Sequence, residues 1–134
     1  MISQDIRHIV DVSPEASIGV ITFYSAQEAL IKEELDSILN DEEKRNVEVG
    51  TVDAFQGKEF DYVLLSCVRS NKPMNDKPPI VGFLDKPNRL CVAFSRSIRQ
   101  LAVYGDIDTL KQIPYFDHLY EYCKNEEGGY CREV

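Results

Sequence analysis

The feature that most constrains this chain is the alternation of short apolar runs with helical patterns. Residues Ser17–Tyr24 form a nearly continuous apolar and β-branched run, as expected for a parallel strand buried on both faces. A helical pattern follows, because apolar residues then recur at the spacing of one helix face, namely Leu30, Ile31, Leu35, Ile38 and Leu39. The sequence from Ser25 to Glu28 matches a capping box, which predicts that this helix starts with Ser25 as its N-cap.

The alternation continues along the chain. Apolar runs predict three more strands, at Val47–Val52, Asp61–Val68 and Gln100–Tyr104. Further helices are predicted from Pro87 through Phe94, at Asp108–Gln112 and from Pro114. Strands that alternate with helices need crossover connections, so we expect an α/β fold with three layers and a mainly parallel sheet.

In such sheets, ligands bind at the loops that follow the carboxyl ends of the strands. This rule directs attention to four places: Tyr24–Gln27, Thr51–Glu59, Arg69–Asn71 and the helix bearing Arg96.

The 134 residues suffice for one domain with one core. We expect residues 1–16 to be a lead-in segment, residues 17–125 to form the domain and residues 126–134 to be a frayed tail. No apolar run approaches the roughly 20 residues of a membrane-spanning helix, and no signal peptide is recognisable. A cytoplasmic location, or a nuclear one in a eukaryote, is the expectation, without a membrane partner.

The net charge of −8 argues against a strongly basic nucleic-acid binder. However, residues 51–100 hold eight basic and five acidic side chains, a local net charge of +3. The middle of the chain could therefore face phosphate while the acidic flanks face solvent.

No metal site is predicted. The four cysteines form no C-x-x-C pair, and there are only two histidines. Reduced thiols are the simplest interpretation, with Cys67 and Cys91 as small core residues.

The most informative segment joins the second and third predicted strands. It contains Gly57 and Lys58, but the spacing G-x-x-x-x-G-K-[ST] of a P-loop is absent, because Glu59 follows the lysine. The domain therefore lacks its own P-loop, and by itself it should not hydrolyse ATP.

Together with the strand after it, this segment resembles motif V of superfamily 1 helicases, in the branch of the nonsense-mediated-decay helicase and senataxin. The matching residues are Val47, Thr51, Val52, Asp53, Phe55, Gln56, Gly57, Glu59, Ser66, Val68, Arg69 and Asn71. Ile18–Thr22 with Tyr24 and Gln27 resembles motif IV, and Asn88–Arg96 resembles motif VI. The second arginine that motif VI usually carries is replaced by Ile98, with Arg99 one position later.

The resemblance implies the second, C-terminal RecA-like domain of an ATP-dependent DNA or RNA helicase or translocase. Its expected partners are single-stranded DNA or RNA and a first RecA-like domain of the same polypeptide. The cofactor would be ATP with Mg²⁺, held mainly by that first domain, which implies that the chain is a fragment of a longer helicase.

The resemblance also implies roles for single residues. Arg96 would be the catalytic arginine finger that neutralises charge on the γ-phosphate. Glu59 would bind the ribose, and Gly57 would let the loop approach the nucleotide. Nucleic-acid contacts are implied for Thr51, Asp53, Gln56, Arg69 and Asn71, while Tyr24 and Gln27 belong to motif IV.

One alternative of a different class stays open. The chain could be a stand-alone nucleic-acid-binding or protein-interaction module that uses the fold without ATPase activity.

Overall fold

The fold is built around a parallel sheet. In the computed structural model, residues 2–67, 96–110 and 114–125 are described. Four strands lie in the order β2-β1-β3-β4, and every neighbouring pair is parallel. Their bounds are Ile18–Thr22 for β1, Val47–Thr51 for β2, Phe60–Ser66 for β3 and Ser97–Tyr104 for β4. The predicted α/β class with a mainly parallel sheet is confirmed.

Helices cover both faces of this sheet. They are α1 (Ile2–Val12), α2 (Ser25–Ile38), α3 (Asp41–Lys44), α4 (Ile107–Leu110) and α5 (Pro114–Asn125), with a 3-10 helix at Val52–Phe55. One buried cluster joins α1 and α2 to one face of the sheet, through side chains such as Ile6, Ile31 and Leu64. A second cluster packs Phe55, Leu110 and Phe116 against the opposite face. The sheet is therefore the middle of three layers.

Because all four strands run in the same direction, the sheet has two chemically different edges. We call the edge at which the strands begin the amino edge, and the edge at which they end the carboxyl edge. Thr22, Thr51, Ser66 and Tyr104 end their strands at the carboxyl edge. Phe60 and Ser97 are paired at the amino edge.

The predicted capping box at Ser25 is wrong. The N-cap of α2 is Tyr24, it makes no capping bond through its side chain, and Ser25 is the first helical residue. A capping box is present instead at α3, where Asn40 and Glu43 exchange side-chain-to-backbone hydrogen bonds of 2.8 and 3.1 Å. Both segments have a polar residue followed three positions later by glutamate. Only the backbone conformation decides which of them forms the two capping hydrogen bonds.

The segment before β1 contributes to the core. Ile6 and Val10 of α1 are buried, and Arg7 of the same helix forms ion pairs with Asp11 and with Glu43 of α3. Tyr104 at the end of β4 donates a hydrogen bond of 2.7 Å to Asp5. These contacts attach α1 to α3 and to the end of β4.

Strand β4 begins three residues earlier than predicted, at Ser97. Arg96 is a turn residue directly before it, so the expectation that Arg96 lies on a helix is wrong. The helix predicted from Pro87 through Phe94 lies outside the described residues. Within the described ranges, no helix is long and apolar enough to cross a membrane.

Candidate nucleotide and nucleic-acid site

The predicted site residues that the structure describes lie at opposite edges of the sheet. Thr51 ends β2 in register with Thr22 at the carboxyl edge. Glu59 directly precedes β3 and Arg96 directly precedes β4, so both lie at the amino edge. The expectation that all of them follow carboxyl ends is therefore wrong for Glu59 and Arg96. The reason is that the segment after β2 crosses the sheet before it enters β3 as a parallel strand.

At the amino edge, Arg96 contacts the chain on both sides of Glu59. Its Nη1 donates a hydrogen bond to the carbonyl oxygen of Lys58 at 3.3 Å. Its own carbonyl oxygen accepts a hydrogen bond from the backbone N–H of Phe60 at 2.9 Å. Arg96 is half-buried and Glu59 is exposed. The backbone on both sides of Glu59 is thus fixed beside Arg96, and the Glu59 carboxylate is exposed to solvent at the same edge.

The turn that carries Glu59 is shaped by Gly57 and Lys58. Gly57 has a φ of 76°, and a Cβ built on it would meet no atom within 4 Å. The N–H of Lys58 donates to the carbonyl oxygen of Phe55 at 3.1 Å, which closes the turn. The Nζ of Lys58 lies 2.6 Å from Oε1 of Glu48 on β2. The backbone conformation therefore favours glycine here, while the space around it stays open.

The ion pair of Lys58 and Glu48 is a contact that the sequence did not predict. The two residues are ten positions apart and lie in different parts of the fold, so the spacing within one helix or strand does not bring them together. Only the return of the chain across the sheet brings the two charges together.

The crossing segment from Val52 to Glu59 is fixed by aromatic packing. Phe55 is fully buried, and its ring centroid lies 5.3 Å from that of Phe60. Gly19 of β1 and Gly50 of β2 lie directly beneath these rings. A Cβ on Gly19 would come within 2.8 Å of Phe60, and one on Gly50 within 3.1 Å of Phe55. The two glycines let the segment lie close against the sheet between its two edges.

The carboxyl edge holds the other predicted residues. Thr51 is half-buried and makes no capping bond to the 3-10 helix that follows it, in which Asp53 is exposed. Gln56 is exposed at the end of that helix, on the way to the amino edge. Asp53 and Gln56 are therefore accessible to a nucleic-acid strand, and Thr51 is partly accessible.

The two motif IV residues lie at the start of α2, next to the end of β1. Tyr24 is half-buried, and its carbonyl oxygen accepts a hydrogen bond of 3.1 Å from the hydroxyl of Thr22. Gln27 is only 8% exposed, and its amide oxygen has no hydrogen-bond partner among the described residues. Tyr24 and Gln27 therefore belong to the carboxyl-edge group with Thr51.

An open groove of about 520 Å³ also lies at the amino edge. Asp61 and Arg99 line it together with residues 13–16, which precede β1. Asp61 accepts hydrogen bonds from the N–H and hydroxyl of Ser17, and it lies 3.7 Å from Arg99. Arg99 is thereby directed toward Asp61, in contrast to Arg96, which contacts the Glu59 turn.

Two predicted residues, Arg69 and Asn71, lie outside the described residues. Within the described part of the chain, no cluster of three or more His, Cys, Asp or Glu side chains could hold a metal ion. Cys67 is buried, as predicted, and burial raises the pKa of its thiol.

A protein-family model described as an AAA domain matches residues 1–108. The chain belongs to this AAA domain family. Its parallel α/β sheet is consistent with a RecA-like helicase domain.

Three curated relatives of this AAA domain show what it is similar to. DNA polymerase alpha-associated DNA helicase A of Saccharomyces cerevisiae is 42% identical over 83% of this chain. Regulator of nonsense transcripts 1 of Dictyostelium discoideum and ATP-dependent helicase NAM7 of S. cerevisiae are each 40% identical over 81% of it. The matched regions make up 15%, 8% and 11% of these relatives, respectively. The chain is a helicase-type domain that spans a small part of their length.

Proposed function

We propose that this chain is the C-terminal motor domain of an ATP-dependent DNA or RNA helicase or translocase. The observation that carries the proposal is the bracketing of Glu59 by Arg96, through the 3.3 Å bond to Lys58 and the 2.9 Å bond from Phe60. These contacts fix the backbone on both sides of Glu59 next to Arg96, at an edge where the Glu59 carboxylate is exposed. The similarity to an ATP-dependent helicase supports the same conclusion.

In this proposal, the amino edge binds the nucleotide. Arg96 binds the γ-phosphate, because its planar guanidinium stays charged and can donate to two oxygens. Glu59 accepts hydrogen bonds from the ribose hydroxyls. Both side chains are accessible to solvent, so they fit a nucleotide that approaches this edge.

ATP with Mg²⁺ would be held mainly by a first RecA-like domain. The P-loop pattern is absent from the sequence, and the described residues offer no cluster of three metal ligands. When bound, ATP supplies the phosphoryl group that water attacks. Arg96 would neutralise the charge that develops on this group in the transition state.

The carboxyl edge would hold one nucleic-acid strand. Thr51, half-buried at the end of β2, would contact a backbone phosphate, and such a contact positions a strand without reading its sequence. Asp53 and Gln56 lie on the segment that runs from Thr51 to Glu59. In this proposal they would brace that segment or link the two ligands. Arg69 and Asn71 remain proposed contacts of the same kind.

A chimera tests the finger role. The matching segment of the yeast DNA helicase would be replaced by this chain, and ATP turnover would be measured with and without Arg96→Ala. We expect Arg96→Ala to lower kcat by about a thousandfold or more, as for other arginine fingers. Arg99→Ala is the matched control, because it removes the same charge from the same edge. Equal losses in both variants, or unchanged turnover in Arg96→Ala, would contradict the finger role.

The isolated chain provides a second test. It should show no ATP hydrolysis of its own. Amide NMR spectra recorded during titration with a non-hydrolysable ATP analogue and Mg²⁺ should shift at Gly57, Glu59 and Arg96. Tight binding of single strands at physiological salt, without any response to nucleotide, would favour a stand-alone nucleic-acid-binding module.

A further inference from the structure

Lys58 is the point at which the Glu59 turn is attached to the rest of the molecule. Its N–H bonds to Phe55 within the turn, its carbonyl oxygen accepts from Arg96, and its Nζ pairs with Glu48 on β2 at 2.6 Å. One residue therefore connects the turn to the predicted finger and to the far strand of the described sheet.

The described residues give the turn little other support. Gly57 has no side chain and open space around it, and Gln56, Lys58 and Glu59 are all exposed. Among the described side chains, core packing holds the turn at its flanks, through Phe55 and Phe60. Between these two anchors, the polar contacts of Lys58 hold the backbone next to Glu59.

An exposed ion pair of this kind usually contributes little to overall stability. The side chains of Lys58 and Glu48 are 48% and 43% exposed, so solvent screens their attraction. Unlike a pair within one helix, however, this one joins a glycine-containing turn to a strand of the sheet. Its effect should therefore appear in the geometry of the turn rather than in the melting temperature.

We propose that Lys58 and Glu48 are positioning residues for nucleotide binding, with the ion pair fixing the turn so that Glu59 and Arg96 face the same ligand. This inference rests on the proposed function of the amino edge. It assigns Lys58 a role through its neighbours, without direct contact to the nucleotide.

Two single substitutions separate positioning from simple electrostatics. Glu48→Gln removes a negative charge, whereas Lys58→Met removes a positive one, and each breaks the ion pair. A nucleotide is an anion, so electrostatics alone would make Glu48→Gln bind more tightly and Lys58→Met more weakly. If the pair positions the turn, both variants should bind the ATP analogue about two- to fivefold more weakly, the range of one exposed ion pair.

The readout is the dissociation constant from amide NMR titration of the 134-residue chain with the analogue and Mg²⁺. The double variant should bind no more weakly than the weaker single variant, and Lys58→Arg should restore binding. Glu28→Gln and Lys32→Met are matched controls, because these residues form a 2.7 Å ion pair on α2 that does not touch the turn. Melting temperatures of all variants exclude loss of fold as the cause.

Tighter binding by Glu48→Gln, or unchanged binding by both variants, would overturn the positioning role and leave the proposed function standing. If the wild-type chain shows no shifts at Gly57, Glu59 and Arg96, the proposed function fails and this inference fails with it.

Discussion

At the residue scale, Gly57 tests whether the Glu59 turn needs its left-handed backbone. Gly57→Ala should destabilise the chain by about 1 kcal/mol, because strain of roughly 1–2 kcal/mol at a φ of 76° exceeds what alanine gains by restricting the unfolded chain. No steric clash adds to this cost, since a Cβ on residue 57 would meet no atom within 4 Å. Urea unfolding measures the change. Gly57→Asn should cost less, because asparagine tolerates this conformation; equal costs would mean that the turn relaxes.

Glu43 is a side chain whose protonation should lower the free energy of unfolding in acid. Hydrogen bonds from Arg7, and then one from the backbone N–H of Asn40, lower the pKa of Glu43 below its ordinary value of 4.5. The folded state thus favours the charged form. Its stabilising contribution is complete above about pH 4.5 and is lost as the pH falls through the lowered value.

Glu43→Gln should therefore flatten the decrease in unfolding free energy between neutral pH and pH 3. Denaturant unfolding at several pH values measures this slope. Glu42→Gln is the control, since Glu42 is an exposed neighbour on the same short helix. A slope that changes equally in both variants would show that the Arg7 contacts are not the cause.

At the element scale, the crossing segment depends on two glycines of neighbouring strands. Gly19→Ala should destabilise the chain by about 1–3 kcal/mol, because the new Cβ would lie 2.8 Å from the Phe60 ring in a packed core. It should also shift the amide signals of Gly57 and Glu59, since Phe60 directly follows the turn. Gly50→Ala, with its nearest contact at 3.1 Å, should have the smaller effect. An undisturbed turn in Gly19→Ala would show that Phe60 does not control its position.

The capping signals show how far local patterns determine an element. Ser25 and Asn40 both precede a glutamate three positions later, and both patterns are consistent with a capping box. Only Asn40 has the extended N-cap backbone with both bonds present, whereas Ser25 is already helical. The helix itself is predictable from its apolar periodicity. Its first residue, however, depends on the backbone conformation of the residues that connect it to β1.

At the scale of the whole molecule, the negative net charge opposes the proposed nucleic-acid contact. We expect weak binding of single strands by the isolated chain, with a steep loss of affinity as salt increases. Fluorescence anisotropy with a labelled oligonucleotide at two salt concentrations measures this dependence.

The same assay tests Thr51. Thr51→Ala should weaken binding by about two- to tenfold, the effect of losing one hydrogen bond. Ser37→Ala, which removes an exposed hydroxyl of α2 that bonds only locally to Glu34, should leave the affinity unchanged. Equal affinities in wild type and Thr51→Ala would exclude the proposed phosphate contact.

The sequence by itself determined the α/β class, the parallel sheet and the identity of the helicase-type segment. Each of these depends on local periodicity or on the order of residues along the chain. Thr51 and Glu59 lie at opposite edges as a consequence of that parallel arrangement, because the chain must return across the sheet between two parallel strands. The tertiary structure alone decided the strand order β2-β1-β3-β4. It also decided that Lys58 contacts Glu48 and Arg96, since contacts between residues 10 and 38 positions apart depend on strand order and on the packing of Phe55 and Phe60 over glycine.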